Sequence, residues 1–257
     1  MVNCFRLIDT GPRPGPENMA IDAALLDCFR PEEDRPVLRL YGWEPPAFSC
    51  GRFQQPEQIL DLDRCRRDGI PVVRRITGGG VLFHAAELTY SLVCPVAFAG
   101  SSRGVKEAFF HLTSFLLRFY RDLGLAPAHP PHHFGGATRL GGRTPLCFAG
   151  IETCDIIVAG RKLGGNAQRR LKNAVFQHGS IPLRQMAGIG AQYLLTANSD
   201  LTAGTTALAD QGITLDRNDL AGRLAAVFAG TFAVERQPDR LSADELARIA
   251  TYMQNSA

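Results

Sequence analysis

The segment from Ile70 to Val96 constrains the fold most: IPVVRRITGGGVLFH and LTYSLVCPV read as three strands crowded around three consecutive glycines, Gly78, Gly79 and Gly80. Strands need partners, and the rest of the chain supplies them. Cys4 to Ile8 reads as an opening strand, VLRLYGW (37–43) alternates in the same way, and FSCGRFQ (48–54) resumes extended chain beyond Pro45 and Pro46. CDIIVAGRKLGGNAQRR and VFQHGSIPL add further strands, with Ala159 and Gly160 as a tight hairpin turn.

Helical spacing of apolar residues appears in NMAIDAALLDCF (18–29), where Asn18 is a candidate N-cap, and in a short helix, ILDLDRCRRDG, that ends at Gly69. It returns in VKEAFFHLTSFLLRFYRDLGL with Gly124 near its C-terminus, and in two amphipathic stretches, LDRNDLAGRLAAVFAGTF and ADELARIATYMQ. Strands and helices do not alternate strictly. The expected class is therefore α+β, with mixed, mainly antiparallel sheets flanked by helices, and not a doubly wound parallel sheet. Residues 1–257 are expected to form a single domain whose portion 185–257 is mainly helical, and Ala126 to Pro145, rich in Pro, Gly and His, reads as a long loop.

Bulk composition narrows the function classes. With 45% hydrophobic and 21% charged residues and a net charge of +3, the chain is an ordinary globular one, with no overall charge that calls for nucleic acid or a membrane surface. Local clusters (Arg64, Arg66, Arg67; Arg74, Arg75; Arg161, Arg169, Arg170) would suit an acidic partner. Seven scattered cysteines without CxxC spacing, and an N-terminus lacking an apolar stretch, lead to the expectation of free thiols in a reducing cytoplasm.

Positive charge is supplied as 25 Arg but only three Lys, namely Lys106, Lys162 and Lys172. Lysine offers a compact charge where arginine offers a planar fork, so Lys162 on a strand just past a tight turn asks for a chemical reason. Cys147 lies 15 residues upstream, and a nearby cation would favour its thiolate. Composition alone gives no preference between Cys147 and Cys154. The glycine run lets backbone amides approach a carboxylate, phosphate or acyl carbonyl, but it is not followed by GK[ST] and opens no helix. Taken alone it reads as a glycine-rich hairpin turn. His84 and His178 sit on strands and read as structural, and the HPPHH cluster of His129, His132 and His133 reads as loop sequence without metal-ligand spacing.

Six blocks in order, NMAIDAALL, LRLYGWEPPAFSCGRFQ, RRITGGGVLFH, ELTYS, GRKLGGNAQRR and QHGSIPL, covering Asn18 to Leu183, resemble the family of lipoate-protein ligases and lipoyl/octanoyl transferases, which is similar in catalytic fold to biotin protein ligases. The chain most resembles the octanoyl-[acyl-carrier-protein]:protein N-octanoyltransferases of the ligase-like branch. That resemblance implies Cys147 as nucleophile and Lys162 on the acyl carbonyl. It places Arg75, Thr77, Gly78, Gly79, Gly80 and His84 on an acyl-pocket loop, Arg169 and His178 on strands lining the pocket, and Asn18 and Asp22 on its first helix. Ala85 departs from the family's usual Asp after the histidine. The implied activity is transfer of octanoyl from octanoyl-acyl carrier protein to a lysine of lipoyl domains (glycine cleavage H protein or 2-oxoacid dehydrogenase E2 subunits), with no cofactor, metal, nucleic acid or membrane. Alternatives are an ATP-dependent lipoate-protein ligase and a non-catalytic carrier of lipoylated proteins.

Overall fold

The computed structural model describes residues 3–100, 104–130, 154–196 and 202–255. The first half of the chain forms β1 (Cys4–Arg13), α1 (Gly15–Cys28), β2 (Val37–Trp43), β3 (Ala47–Cys50), α2 (Leu62–Arg67), β4 (Val72–Arg74), β5 (Leu82–His84) and β6 (Glu87–Pro95). There follow α3 (Val105–Asp122), β7 (Pro127–Ala128), β8 (Ile157–Val158), β9 (Arg161–Leu163), β10 (Gly165–Arg170) and β11 (Ala174–Pro182). The remainder holds α4 (Ala187–Ala191), β12 (Thr205–Thr206), α5 (Arg217–Phe232), β13 (Glu235–Pro238) and α6 (Ala243–Gln254).

The main sheet has the order β10-β11-β6-β2-β1-β13. Its β10/β11, β11/β6 and β6/β2 pairs are antiparallel, while β1 runs parallel to both β2 and β13. Two smaller sheets, β4-β3-β5 and β12-β9-β8-β7, complete the mixed α+β architecture. Strand β6 shows how sequence period sorts the two faces. Its even positions, Leu88, Tyr90, Leu92 and Cys94, enter the larger core with Phe115, Phe119, Leu224 and Phe228 from α3 and α5. Each fully buried phenylalanine there contributes about 1.5–3 kcal/mol of transfer free energy. The opposite face carries Val93 with Ile21, Leu25 and Phe176 beneath α1.

Local signals explain several boundaries. Asp61 and Asp216 cap α2 and α5 through their side chains, and Ser242 with Glu245 forms a reciprocal capping box on α6. The turn between β8 and β9 places both Ala159 (φ 50°) and Gly160 (φ 75°) in the left-handed region, as a tight hairpin between right-twisted strands requires.

Three expectations need correction. Strand β1 continues to Arg13, past Ile8, through a register shift between Asp9 and Gly11. Asn18 is not an N-cap: α1 begins at Gly15 behind Pro14, and the Asn18 amide, buried inside the helix, donates to the Arg13 and Gly42 carbonyls. Nor do the glycines close a hairpin, because β4 and β5 do not pair with each other. Both flank β3, so Gly78 to Gly80 cross over the end of that strand. Among the described residues, no helix is long and apolar enough to cross a membrane.

Candidate active site

One cross-strand row organises the α1-facing side of the main sheet. Arg39 of β2 lies opposite Ser91 of β6, Ser91 opposite His178 of β11, and His178 opposite Ala167 of β10. Directly paired residues share a face, so all four project toward α1. From the helix, Asn18 and Asp22 sit one turn apart and meet them. Arg39 donates to the Asn18 side-chain oxygen at 2.6 Å and to Asp22 at 2.7 Å, and Ser91 and Tyr41 donate to the Asp22 carboxylate at 2.8 and 2.9 Å. His178 Nδ1 stands 3.6 Å from the same carboxylate, and its Nε2 is 2.7 Å from the Thr77 hydroxyl in the glycine loop. Burial alone would raise the Asp22 carboxyl. Arg39, His178 and Ser91 outweigh it and hold the group below the ordinary value. For His178 burial dominates and lowers its value despite Asp22, which favours the neutral ring.

A second buried cluster supports the other end of the glycine loop. His84 stacks on Trp43 at 3.8 Å, with its Nδ1 2.9 Å from Glu87 and its Nε2 2.7 Å from the Ser49 hydroxyl. Glu87 also accepts from Thr89 and Ser180. Burial pushes its carboxyl up, but His84 and these two hydroxyls bring it below the ordinary value. Arg75 donates to the Ser49 carbonyl and hydroxyl at 2.8 and 2.9 Å and to the Gly78 and Gly80 carbonyls at 3.0 and 2.6 Å. Beside the loop, a Cβ on Gly51 would lie 1.9 Å from the Gly79 carbonyl oxygen, whereas one on Gly78 would meet nothing within 4 Å. The loop therefore packs tightly against β3 on one side and borders open space on the other.

Lys162 reaches the same face. Its Nζ lies 2.8 Å from Asp155, both side chains being at least nine-tenths buried. Its Cε is 3.8 Å from where a Cβ of Gly165 would stand, an ordinary van der Waals distance, so the lysine runs alongside β10. Gly165 pairs with Ser180, two residues from His178 and on the same side of the sheet. Arg169, half-buried and opposite Phe176, belongs to that side as well.

The structure thus gathers Lys162, Thr77, His178, Arg169, Asp22 and the glycine loop around one sheet face. The polar side-chain atoms of Asn18, Asp22 and His84 are engaged within the protein, and Arg75 spends its fork on Ser49 and the loop. Cys147, the expected nucleophile, lies outside the described residues, as do His132 and His133. His129 is placed on the Asp155 carbonyl at 2.9 Å. Cys154 is buried at 2% exposure. Arg39, Ser49, Glu87, Ser91 and Asp155 were missed as site residues. The available signal was their chemistry: an Arg inside VLRLYGW, polar alternate positions in ELTYS, and an acid between Cys154 and an apolar strand.

The sequence matches the family described as the lipoyl protein ligase A/B catalytic domain over residues 14–219. It is 36% identical to octanoyltransferase LipM of Symbiobacterium thermophilum, the alignment covering 94% of this chain and 91% of that protein. It is 40% identical to octanoyltransferase LipM of Exiguobacterium sp. over 70% of this chain. The chain spans just under two thirds of several such relatives, 66% of the Exiguobacterium protein and 65% of that from Geobacillus kaustophilus. In fold it is similar to a lipoate-protein ligase A crystal structure bound with ATP (TM-score 0.81, 21% identity, covering 99% of this chain and 95% of that one). It is similar too to a bipartite lipoate protein ligase from Thermoplasma acidophilum (TM-score 0.77, 20% identity, covering 99% and 92%). With most of its length matched in one order and the expected fold in place, the chain belongs to the lipoyl protein ligase A/B catalytic-domain family.

Proposed function

We propose that this protein transfers an octanoyl group from octanoyl-acyl carrier protein to a lysine of lipoyl domains, through a thioester on Cys147. The observation that carries this reading is the Lys162–Asp155 pair at 2.8 Å beside Gly165. A carboxylate at that distance complements a charged amine, and Lys162 serves as an electrostatic donor to the acyl carbonyl. The name shared by relatives at 36–40% identity agrees with octanoyl as the group moved. The whole chain acts as one catalytic unit, with α5, β13 and α6 bracing the main sheet.

The Cys147 thiolate attacks the thioester carbonyl, Lys162 stabilises the resulting oxyanion, and the carrier's thiol departs with the proton that Cys147 gave up. The neutral amine of the acceptor lysine then attacks the octanoyl-enzyme, an amide forms, Cys147 leaves as thiolate, and the proton lost by the amine passes to solvent. The thioester already carries the activation, so the scheme balances without ATP. Losing one oxyanion donor costs about 3 kcal/mol in comparable sites, which sets the scale expected of Lys162. The glycine-loop amides assist at the same oxygen.

Intact mass after incubation with octanoyl-acyl carrier protein tests the reading. An added octanoyl group that survives Cys154→Ala and disappears in Cys147→Ala supports it. Absence of the adduct together with ATP-dependent lipoylation of a lipoyl domain would replace it with a ligase, and absence of turnover with either donor would leave a carrier.

A further inference from the structure

Arg75 lies in the glycine-loop block, where a substrate contact is the expected task. Its hydrogen bonds suggest another. The fork grips the Gly78 and Gly80 carbonyls while its other arm holds Ser49. The Thr77 carbonyl accepts from the Arg52 amide, and the Gly79 carbonyl lies against the α-carbon of Gly51. Four consecutive carbonyls, from Thr77 to Gly80, are therefore held on the side of β3 and Arg75. In a trans peptide the N–H points opposite to the C=O. The amides of Gly78 and Gly79 are accordingly directed away from Arg75, and a pair of such N–H groups can receive a negatively charged oxygen.

Arg75 is held in turn. Ser49 is fully buried: Arg75 donates to its hydroxyl oxygen, that hydroxyl lies 2.7 Å from His84 Nε2, and His84 Nδ1 lies 2.9 Å from the Glu87 carboxylate. Glu87 ends the chain as an acceptor for Thr89 and Ser180 as well.

We propose that Arg75 and Ser49, backed by His84 and Glu87, are positioning residues that fix the glycine-loop amides toward the acyl carbonyl, and that Arg75 makes no substrate contact of its own. This rests on the octanoyl-transfer reading for what the amides receive, but not for the ordering of the loop. Lysine cannot replace the guanidinium fork, because one ammonium cannot hold two loop carbonyls and Ser49 in a plane.

The test uses Arg75→Lys, Ser49→Ala and Ser49→Thr with two independent readouts. In the uncharged protein, 15N order parameters of Gly78 and Gly79 are expected to fall from about 0.85 toward 0.6 in Arg75→Lys and Ser49→Ala, while Leu40 is unchanged. Ser49→Thr, which keeps the hydroxyl, retains the wild-type values. In turnover with octanoyl-acyl carrier protein, Arg75→Lys and Ser49→Ala are expected to lower kcat by roughly tenfold or more with KM nearly unchanged, the signature of a lost transition-state interaction. The infrared carbonyl stretch of the octanoyl-enzyme should move to higher frequency in the same variants. Wild-type kcat in Arg75→Lys, or a rise in KM alone, overturns the proposal, as do unchanged order parameters. Should the wild-type protein take up no octanoyl group, the transfer reading fails while the order parameters still decide whether Arg75 and Ser49 fix the loop.

Discussion

Lys162 and Asp155 meet at 2.8 Å with side chains only 5% and 9% exposed, which makes the lysine a fixed charge inside the protein and not a solvated one. Neither group is cheap to leave alone. Breaking a buried pair by removing one partner costs about 3–5 kcal/mol, most of it the isolated charge left behind. Lys162→Met should therefore lower stability by that order in urea unfolding, and adding Asp155→Asn should recover most of it. Activity should behave differently: both the single and the double variant lose about 100- to 1,000-fold in single-turnover octanoyl transfer, the scale of a missing oxyanion donor. Transfer that returns along with stability in the double variant would show that Lys162 only braces the fold.

Thiol chemistry should separate Cys147 from the buried cysteines. Burial pushes the Cys50 thiol up to about 11 even beside Arg75 and Arg74, and burial raises Cys65 and Cys94 as well. A thiol at that value is thiolate in roughly one molecule in 10,000 at neutral pH. Brief iodoacetamide treatment of the native protein, read by peptide mass spectrometry, should leave Cys50, Cys65, Cys94 and the buried Cys154 unmodified while Cys147 is alkylated and turnover stops. Alkylation of Cys154 at a rate matching inactivation would move the nucleophile to that position.

Two glycines of the same region should respond in opposite ways. At Gly51 an added methyl would meet the Gly79 carbonyl oxygen at 1.9 Å, a clash with backbone that only a displaced loop can relieve. Gly51→Ala should cost about 1–3 kcal/mol, as overpacking does, and also reduce turnover. At Gly78 nothing lies within 4 Å, so Gly78→Ala should leave the urea midpoint close to wild type while reducing transfer by filling space beside the loop. Equal stability losses in the two variants would contradict this account of which side of the loop is packed.

The sequence pattern carried some of this arrangement. LTYSLVCPV read as a strand, and the scarcity of lysine singled out Lys162. The odd positions, Glu87, Thr89 and Ser91, have the polarity of a solvent face, yet they are buried against His84, Trp43 and Asp22. A period of two tells which residues share a face, not what lies over it. The crossover of Gly78 to Gly80 was hidden for a related reason. Strands adjacent in sequence usually pair, and nothing local in RRITGGGVLFH reports that β3 is inserted between β4 and β5. Asp155 was passed over because its neighbours Cys154, Ile156 and Ile157 read as an apolar strand, and its partner becomes visible only when β8 and β9 pair.

The buried polar row also fixes the direction of the protein's acid response. Asp22 and Glu87 are held below their ordinary carboxylate values of 3.8 and 4.5, so the stability they contribute is present at neutral pH and is lost as pH falls through the depressed values. His178 lies below the ordinary 6.5, so the unfolded chain takes up a proton first and stability begins to decline once pH drops under about 6.5. All three groups act in one direction. Urea unfolding from pH 8 to pH 4 should show a shallow loss starting near 6.5, with a limiting slope of about 1.4 kcal/mol per pH unit for each proton, and a steeper loss in the carboxylate range. In His178→Gln, where the amide can still bond Thr77, the shallow limb should flatten while the acid limb stays. An unchanged slope between pH 6.5 and 5 in that variant would mean that His178 titrates alike in the folded and unfolded chain, and that Asp22 sustains its charge in the fold.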